Sequence, residues 1–208
     1  MLNILLIHLA GLASPGPDFF YVVRQSASHS IRAGILAAIG ISLGIIFWAA
    51  FSIFGLVWLK QHLGDMVQYV IMVVGGSYLL YIGISMLRIS DNVTFAKNSE
   101  NQTALHSLTE IRKGLMINIF NAKAGAYFTS VISGFLGNFS ELHLQIELLL
   151  LFVISTLIYF CLVALLFSRK PIRQFYSQYS RYIDNAAGVV FAGFGLLLIF
   201  EGIQYFIQ

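Results

Sequence analysis

Six long apolar segments divide the chain, and they limit the folds that it can adopt. They cover residues 2–23, 33–59, 66–87, 114–137, 142–167 and 186–207. Each is close to or above the ~20 residues that a helix needs to cross a bilayer. Charged residues make up only 10% of the chain, whereas soluble domains contain about 25%. The sequence therefore predicts an all-α integral membrane protein with six transmembrane helices.

The basic residues predict the orientation of these helices. Ten of the twelve Lys and Arg residues fall in the connections after segments one, three and five. They are Arg24, Arg32, Arg88, Lys97, Arg112, Lys113, Arg169, Lys170, Arg173 and Arg181. The opposite side carries only Lys60, and Lys123 lies inside segment four. Because basic loops stay in the cytoplasm, we expect both termini in the periplasm.

The longest polar connection separates the six segments into two groups of three. It covers residues 89–113, and we expect it to be a cytoplasmic linker between a first repeat, residues 1–88, and a second, residues 114–208. Two groups of three spans enter the membrane from opposite sides. Such inverted repeats are a common transporter architecture.

A polar interruption breaks the first apolar segment. Ser14-Pro15-Gly16-Pro17-Asp18 stands between two apolar runs. Proline removes a backbone donor and clashes with the preceding turn of a helix. Broken backbone at membrane depth is tolerated only where protein or water surrounds it, and a charged side chain there is a candidate functional residue. We therefore predict a broken first helix and a substrate-binding or coupling site at these five residues.

An inverted repeat predicts a second interruption early in the second half. Segment four supplies the polar residues Asn118, Asn121 and Lys123 at the matching place. Residues 121–124 then align with residues 14–17 as small and polar positions. The fold class expected is two inverted three-helix repeats, each with a broken first helix.

Asp18 and Lys123 carry opposite charges near the two interruptions. A zwitterionic substrate needs one partner for its carboxylate and another for its ammonium group, and a cation or exposed amides can hold a carboxylate. We assign the carboxylate end to Lys123, Asn118 and Asn121, and the ammonium group or a coupling proton to Asp18. The alternative is that Asp18 and Lys123 pair with each other or reach the cytoplasmic interface.

Five further residues are predicted to act in packing or gating. Gly40 and Gly44 form a GxxxG pair in segment two, which lets helices approach closely, either inside the bundle or across a dimer interface. Gly75 and Gly76 let segment three flex or pack tightly. Trp48 lies deep in segment two and is a candidate for lining a cavity.

Two other titratable residues lie within or beside the segments. His8, in segment one, is either a hydrogen-bonded structural residue or part of a proton relay. Asp184 precedes segment six, and we expect it at a helix N-terminus, where its charge complements the helix dipole.

Other functional classes find less support in the sequence. An intramembrane enzyme would need a constellation such as GxSxG or HExxH, and a metal exporter would need clustered ligands. A channel would need rings of charge or carbonyls, to which only Asp18 could contribute. The net charge of +3 does not indicate nucleic-acid binding, because the basic residues lie at segment ends. We expect no cofactor, metal or nucleic-acid partner.

With these motifs in place, the chain resembles the LysE/RhtB family of bacterial amino-acid exporters over nearly its whole length. The similar stretches are residues 14–18 continuing to 22–24, the glycine-rich residues 33–44, residues 75–83 with 86–88, and residues 121–124. The family's usual Asn-Pro-Lys-Ala has Ala122 in place of proline here. The resemblance therefore leaves open whether segment four is broken.

The resemblance is nearest to the threonine/homoserine efflux branch, given residues 14–20 and the surroundings of Trp48. It implies proton-coupled secondary transport of a small amino acid outward across the bacterial inner membrane, and it allows a homodimer. Rocking of the two halves about the interruptions would provide alternating access. The alternative function is export of another small solute or cation on the same fold.

Overall fold

A computed structural model describes most of the chain, and its regular structure is helical. The described residues are 1–14, 16–92, 106–135 and 141–207. Pro15, in the first interruption, and residues 93–105 of the predicted linker lie outside them. The helices are α1 Leu2–Ala13, α2 Pro17–Ser28, α3 Ile31–Leu63, α4 Asp65–Leu87, α5 Ser107–Ile119, α6 Ala122–Phe135, α7 Leu142–Phe167 and α8 Lys170–Ile207.

Four of these helices, α3, α4, α7 and α8, are long and apolar enough to cross a membrane. Helix α1 is apolar but has only 12 residues. Such a helix rises about 18 Å, whereas the hydrocarbon core is ~30 Å thick. Helices α2, α5 and α6 are similarly short, with 12, 13 and 14 residues. Predicted segments one and four are therefore pairs of short helices, α1–α2 and α5–α6.

The two pairs are interrupted by different local chemistry. Before α2, Gly16 is extended (φ −161°, ψ −175°), and Pro17 is the first helical residue, a position where its missing N–H is harmless. Between α5 and α6 the chain has no proline. Instead, Asn121 Oδ1 accepts a hydrogen bond of 3.1 Å from the amide of Lys123 and caps α6. The chain is thus interrupted here even though Ala122 replaces the family's proline.

Helices from the two predicted halves pack against each other. Helix α4 lies along α8 and contacts α6, while α3 contacts α5 and α7. The backbones of α4 and α8 approach closely where Gly76 faces Gly195 and Gly83 faces Gly188, because small residues permit such contacts. The two halves therefore share one packed interior.

Helix α8 begins at Lys170, well before the predicted start of segment six at residue 186. Its early part buries Tyr176, Ser180 and Asp184, spaced four residues apart, on one face. A hydropathy average over this stretch is low because most of its residues are polar. The four-residue spacing of the buried positions nevertheless indicates one buried helical face. The expectation that Asp184 lies at a helix N-terminus is therefore wrong, because it lies inside α8.

Helix α5 also begins earlier than predicted, so residues 107–113 of the predicted linker are helical. Glu110 in this part accepts hydrogen bonds from the Tyr21 hydroxyl at 2.7 Å and from the Lys113 ammonium at 2.8 Å. Burial alone would raise the pKa of Glu110, but these donors outweigh it and the pKa is lowered. The bond from Tyr21 fixes the start of α5 against α2.

Gly195→Ala is expected to destabilise the α4–α8 contact. The new Cβ would lie 2.6 Å from the carbonyl oxygen of Gly76 and 2.7 Å from the amide nitrogen of Leu80. Because the backbone must move, we expect a loss of about 1–3 kcal/mol, measured by thermal unfolding in detergent. Gly193→Ala is the matched control, since its Cβ would meet no atom within 4 Å. Equal losses in both variants would contradict this packing.

Candidate functional site

The two interruptions of the chain face each other. The Lys123 ammonium, on α6, donates hydrogen bonds to the carbonyl oxygen of Ser14 at 3.0 Å and to its hydroxyl oxygen at 2.5 Å. Gly16 lies beside this ammonium group, since a Cβ there would be in ordinary van der Waals contact with Lys123 Nζ, at 3.5 Å. A side chain of the second interruption thus satisfies a carbonyl at the end of α1.

One oxygen of Asp18 is held by the second interruption in turn. Its Oδ2 accepts hydrogen bonds from Asn118 Nδ2 at 2.9 Å and from Asn121 Nδ2 at 3.1 Å. Its Oδ1 is buried and has no hydrogen-bond partner in the described part of the chain. Asp18 and Lys123 interact electrostatically, but Asp18 is hydrogen-bonded to the two asparagines and Lys123 to Ser14.

Residues of α3 position Asn118. The indole N–H of Trp48 donates to the Asn118 carbonyl oxygen at 3.0 Å, and the Trp48 ring packs on Gly125. Gly44 makes room for Asn118, because a Cβ at Gly44 would overlap the Asn118 side chain. Two residues predicted to act in packing or gating therefore support the amide that holds Asp18.

The other predicted glycines lie at helix contacts near the site. Gly40 faces the backbone of Ile111 on α5, Gly75 faces the side chain of Ser130 on α6, and Gly76 faces the α8 backbone. All three contacts lie inside the chain's own bundle.

A cavity opens beside the interruptions. It has a volume of about 50 Å³ and is partly open to the outside, so it is smaller than the ≈ 300–1,000 Å³ of pockets that enclose small molecules. One end is polar, and the other end is formed by apolar and aromatic side chains. The lining includes Ser14, Gly16, Asp18, Asn121 and Lys123 at the polar end, with Leu12, Phe19, Ile45, Tyr127, Phe128 and Phe160 around them.

His8 lies at the aromatic end of this cavity and is hydrogen-bonded on both sides of its ring. Its Nε2 is 3.0 Å from Thr156 Oγ1, and its Nδ1 is 3.4 Å from the Tyr127 hydroxyl. The ring also packs edge-on against Phe152. These contacts fit the structural interpretation of His8, and its role in a proton relay stays a prediction.

Asp184 is a charged residue near the site that the sequence analysis misplaced. It is only 2% exposed and interacts electrostatically with Lys123. Its Oδ1 has no hydrogen-bond partner among the residues that the structure describes. The four-residue spacing of Tyr176, Ser180 and Asp184 is the sequence signal that could have placed it on the buried face of a helix.

A protein-family model matches most of the chain. The model for the LysE type translocator covers residues 9–202. The chain belongs to the LysE family of translocators. The resemblance in its motifs is thereby confirmed, and the long apolar helices are those of a multi-pass membrane transporter.

Several relatives of this translocator align over most of their length. An uncharacterized membrane protein of Haemophilus influenzae is 44% identical over 100% of both chains. The threonine efflux protein of Escherichia coli strain K12 is 34% identical over 95% of this chain and 96% of its own. The leucine efflux protein of Enterobacter sp. strain 638 is 26% identical over 88% of this chain and 87% of its own. No solved structure matches.

The hydrogen bond between Asn118 and Asp18 can be tested by a double-mutant cycle. Asn118→Leu removes one of the two amide donors to Asp18 Oδ2 and is expected to cost about 1–3 kcal/mol. In an Asp18→Leu background the same substitution should cost less, with a coupling energy of ~0.5–3 kcal/mol. Thermal unfolding in detergent measures each step.

Ser42→Ala provides the control for this cycle, because the Ser42 hydroxyl donates to Ala38 within its own helix. It should show no coupling to Asp18→Leu. Zero coupling between the Asn118 and Asp18 substitutions would mean that the bond does not contribute to stability.

Proposed function

We propose that this translocator is a secondary-active exporter of a small amino acid, of the threonine or homoserine kind, across the bacterial inner membrane. The observation that carries the proposal is the cavity with Asp18 and Lys123 at its polar end. A zwitterionic amino acid brings one group for each of these charges. The similarity to a threonine efflux protein and a leucine efflux protein supports the same substrate class.

In this proposal Asp18 binds the ammonium group of the substrate. Asp18 lines the cavity, and its Oδ1 has no donor among the described residues. The amides of Asn118 and Asn121, which the sequence analysis assigned to the carboxylate end, donate to Asp18 instead. We therefore assign them the role of orienting Asp18.

The substrate carboxylate would lie between Lys123 and the start of α2. Helix α2 begins after Gly16 without a side-chain cap, and uncapped amides at a helix N-terminus favour anions. Lys123 Nζ approaches the same residue. Ser14 and Pro17 would shape this end of the site, because they stand at the end of α1 and at the start of α2.

Alternating access would arise from movement of two inverted repeats, residues 1–88 and 114–208, about their interruptions. Six membrane crossings would consist of the four long helices and the pairs α1–α2 and α5–α6. The contacts of α3 with α7 and of α4 with α8 support this symmetry, because each joins elements that are equivalent in the two repeats. Non-helical joints of this kind absorb the dihedral changes of such movements.

The sequence supports a proposed orientation of the chain in the membrane and a set of partners. The basic connections favour periplasmic termini and a cytoplasmic position for residues 89–113, of which 107–113 form the start of α5. A proton would supply the driving force, and the protein would work in the bilayer without a catalytic reaction, alone or as a homodimer.

Export of another small solute or cation is the second candidate function, favoured by the unpartnered Oδ1 atoms of Asp18 and Asp184.

Efflux from preloaded bacterial cells tests the function. Cells with and without the protein are loaded with labelled threonine, homoserine or lysine, and the loss of label is followed with and without a protonophore. Faster loss that depends on the protein and is blocked by the protonophore is the expected result. Unchanged efflux of every amino acid, with the protein present in the membrane, would favour another solute.

Asp18→Asn and Lys123→Met are expected to abolish this efflux while the amount of protein in the membrane stays unchanged. A loss of at least about a hundredfold is expected, because misplacing a substrate by ~1 Å can cost that much. Asp65→Asn and Lys60→Met are chemically matched controls, since this pair is 3.1 Å apart and partly or largely exposed. Normal efflux by both site variants would refute the assignment.

A further inference from the structure

Among the described residues at and beside the cavity, two carboxyl groups share one ammonium group, so one negative charge has no positive partner. The single ammonium of Lys123 interacts with two carboxyl groups, those of Asp18 on α2 and Asp184 on α8. One ammonium compensates one carboxylate, and an uncompensated buried charge costs several kcal/mol. The zwitterionic substrate of the proposed function corrects this shortage while it is bound. Its ammonium group pairs with Asp18 and the uncapped start of α2 receives its carboxylate, which leaves Lys123 to compensate Asp184.

In the empty site, a proton is the simplest cation that can correct this shortage. In the described part of the chain, no group of three or more His, Cys, Asp or Glu side chains is placed to hold a metal ion. A proton needs no such group, since one carboxyl oxygen can bind it. The charge count alone leaves two candidates for the protonated residue, Asp18 and Asp184.

The surroundings of the two carboxyl groups distinguish them. Asp18 lines the cavity, and two amide N–H groups stabilise one of its oxygens as an anion. Asp184 is 2% exposed, and its Oδ1 has no donor among the described residues. Asp18 is thus suited to meet a substrate ammonium group, and Asp184 is suited to carry a proton.

We propose that Asp184 binds the proton that is exchanged during export, and that Lys123 links its charge to Asp18. This inference rests on the proposed function. Closing the cavity over an uncompensated carboxylate is opposed by its desolvation. The two halves therefore move either with substrate bound and Asp184 ionised, or with the site empty and Asp184 protonated. One proton then enters the cell for each amino acid that leaves it, and the pH gradient drives export.

The helices packed near Asp184 place the following side chains close to it or to its neighbours. Helix α6 contributes Lys123, and α8 itself contributes Tyr176, which interacts with Asp184. Helix α4 contributes Met86, which packs one turn further along α8. Helix α7 contributes Tyr159, which interacts with Tyr176, and the titratable side chain of α1 is His8, bonded to α6 and α7. Lys123 is therefore the cation that acts on Asp184.

Proteoliposomes containing the full-length protein test the proposal with two assays. One measures exchange of labelled for unlabelled threonine, and the other measures threonine accumulation driven by an imposed pH gradient. Asp184→Asn is permanently neutral and is expected to keep exchange, with a rate that no longer depends on pH, while losing gradient-driven accumulation. Asp91→Asn, which changes an exposed carboxyl group in the stretch that follows α4, should keep both activities.

Two results would overturn the proposal. One is gradient-driven accumulation by Asp184→Asn at the wild-type level, and the other is loss of exchange together with accumulation in the folded variant. If Asp184→Asn does not fold, Asp184→Ser is judged by the same criteria. Absence of exchange by the wild-type protein with threonine, homoserine and lysine would instead overturn the proposed function, and the proton proposal with it.

Discussion

The hydrogen bonds from the Lys123 ammonium to Ser14 are the interaction on which the candidate site depends. A helix that ends inside a membrane leaves carbonyl groups that lipid cannot satisfy. Here the second interruption satisfies one carbonyl of the first, and its amides hold Asp18 in return. Each interruption is stable because the other is present. The site therefore forms only when both halves of the chain pack against each other.

The sequence was sufficient to predict where the chain is interrupted, but not how the interrupted ends are satisfied. Prolines and a carboxylate in an apolar run identify the first break, and the repeat identifies the place of the second. The structure interrupts the chain at both. The partner of a buried amide depends on side-chain geometry, however. The sequence therefore favours a substrate carboxylate as the partner of Asn118 and Asn121, whereas in the structure both donate to Asp18. Asp184 was misplaced because hydropathy averages cannot show an amphipathic helical extension.

The glycine pattern shows the same limit of sequence reasoning in another form. A GxxxG pair indicates that something approaches a helix closely, but it does not identify what approaches. Gly40 admits the backbone of α5, whereas Gly44 admits the side chain of Asn118. One of these two positions therefore serves helix packing, and the other serves the residue that orients Asp18. Trp48 acts on the same asparagine through its carbonyl oxygen.

The absence of a proline between α5 and α6 makes the two joints mechanically unequal. Pro17 has no N–H, so no rearrangement can extend the hydrogen-bond ladder of α1 through it. The joint before α6 is closed by the Asn121 side chain and retains its backbone donors. A continuous helix through this joint would also have to release the bonds of Asn118 and Asn121 to Asp18 and of Lys123 to Ser14. The first joint can therefore never become helical through Pro17, whereas the second is non-helical only because side chains hold it so.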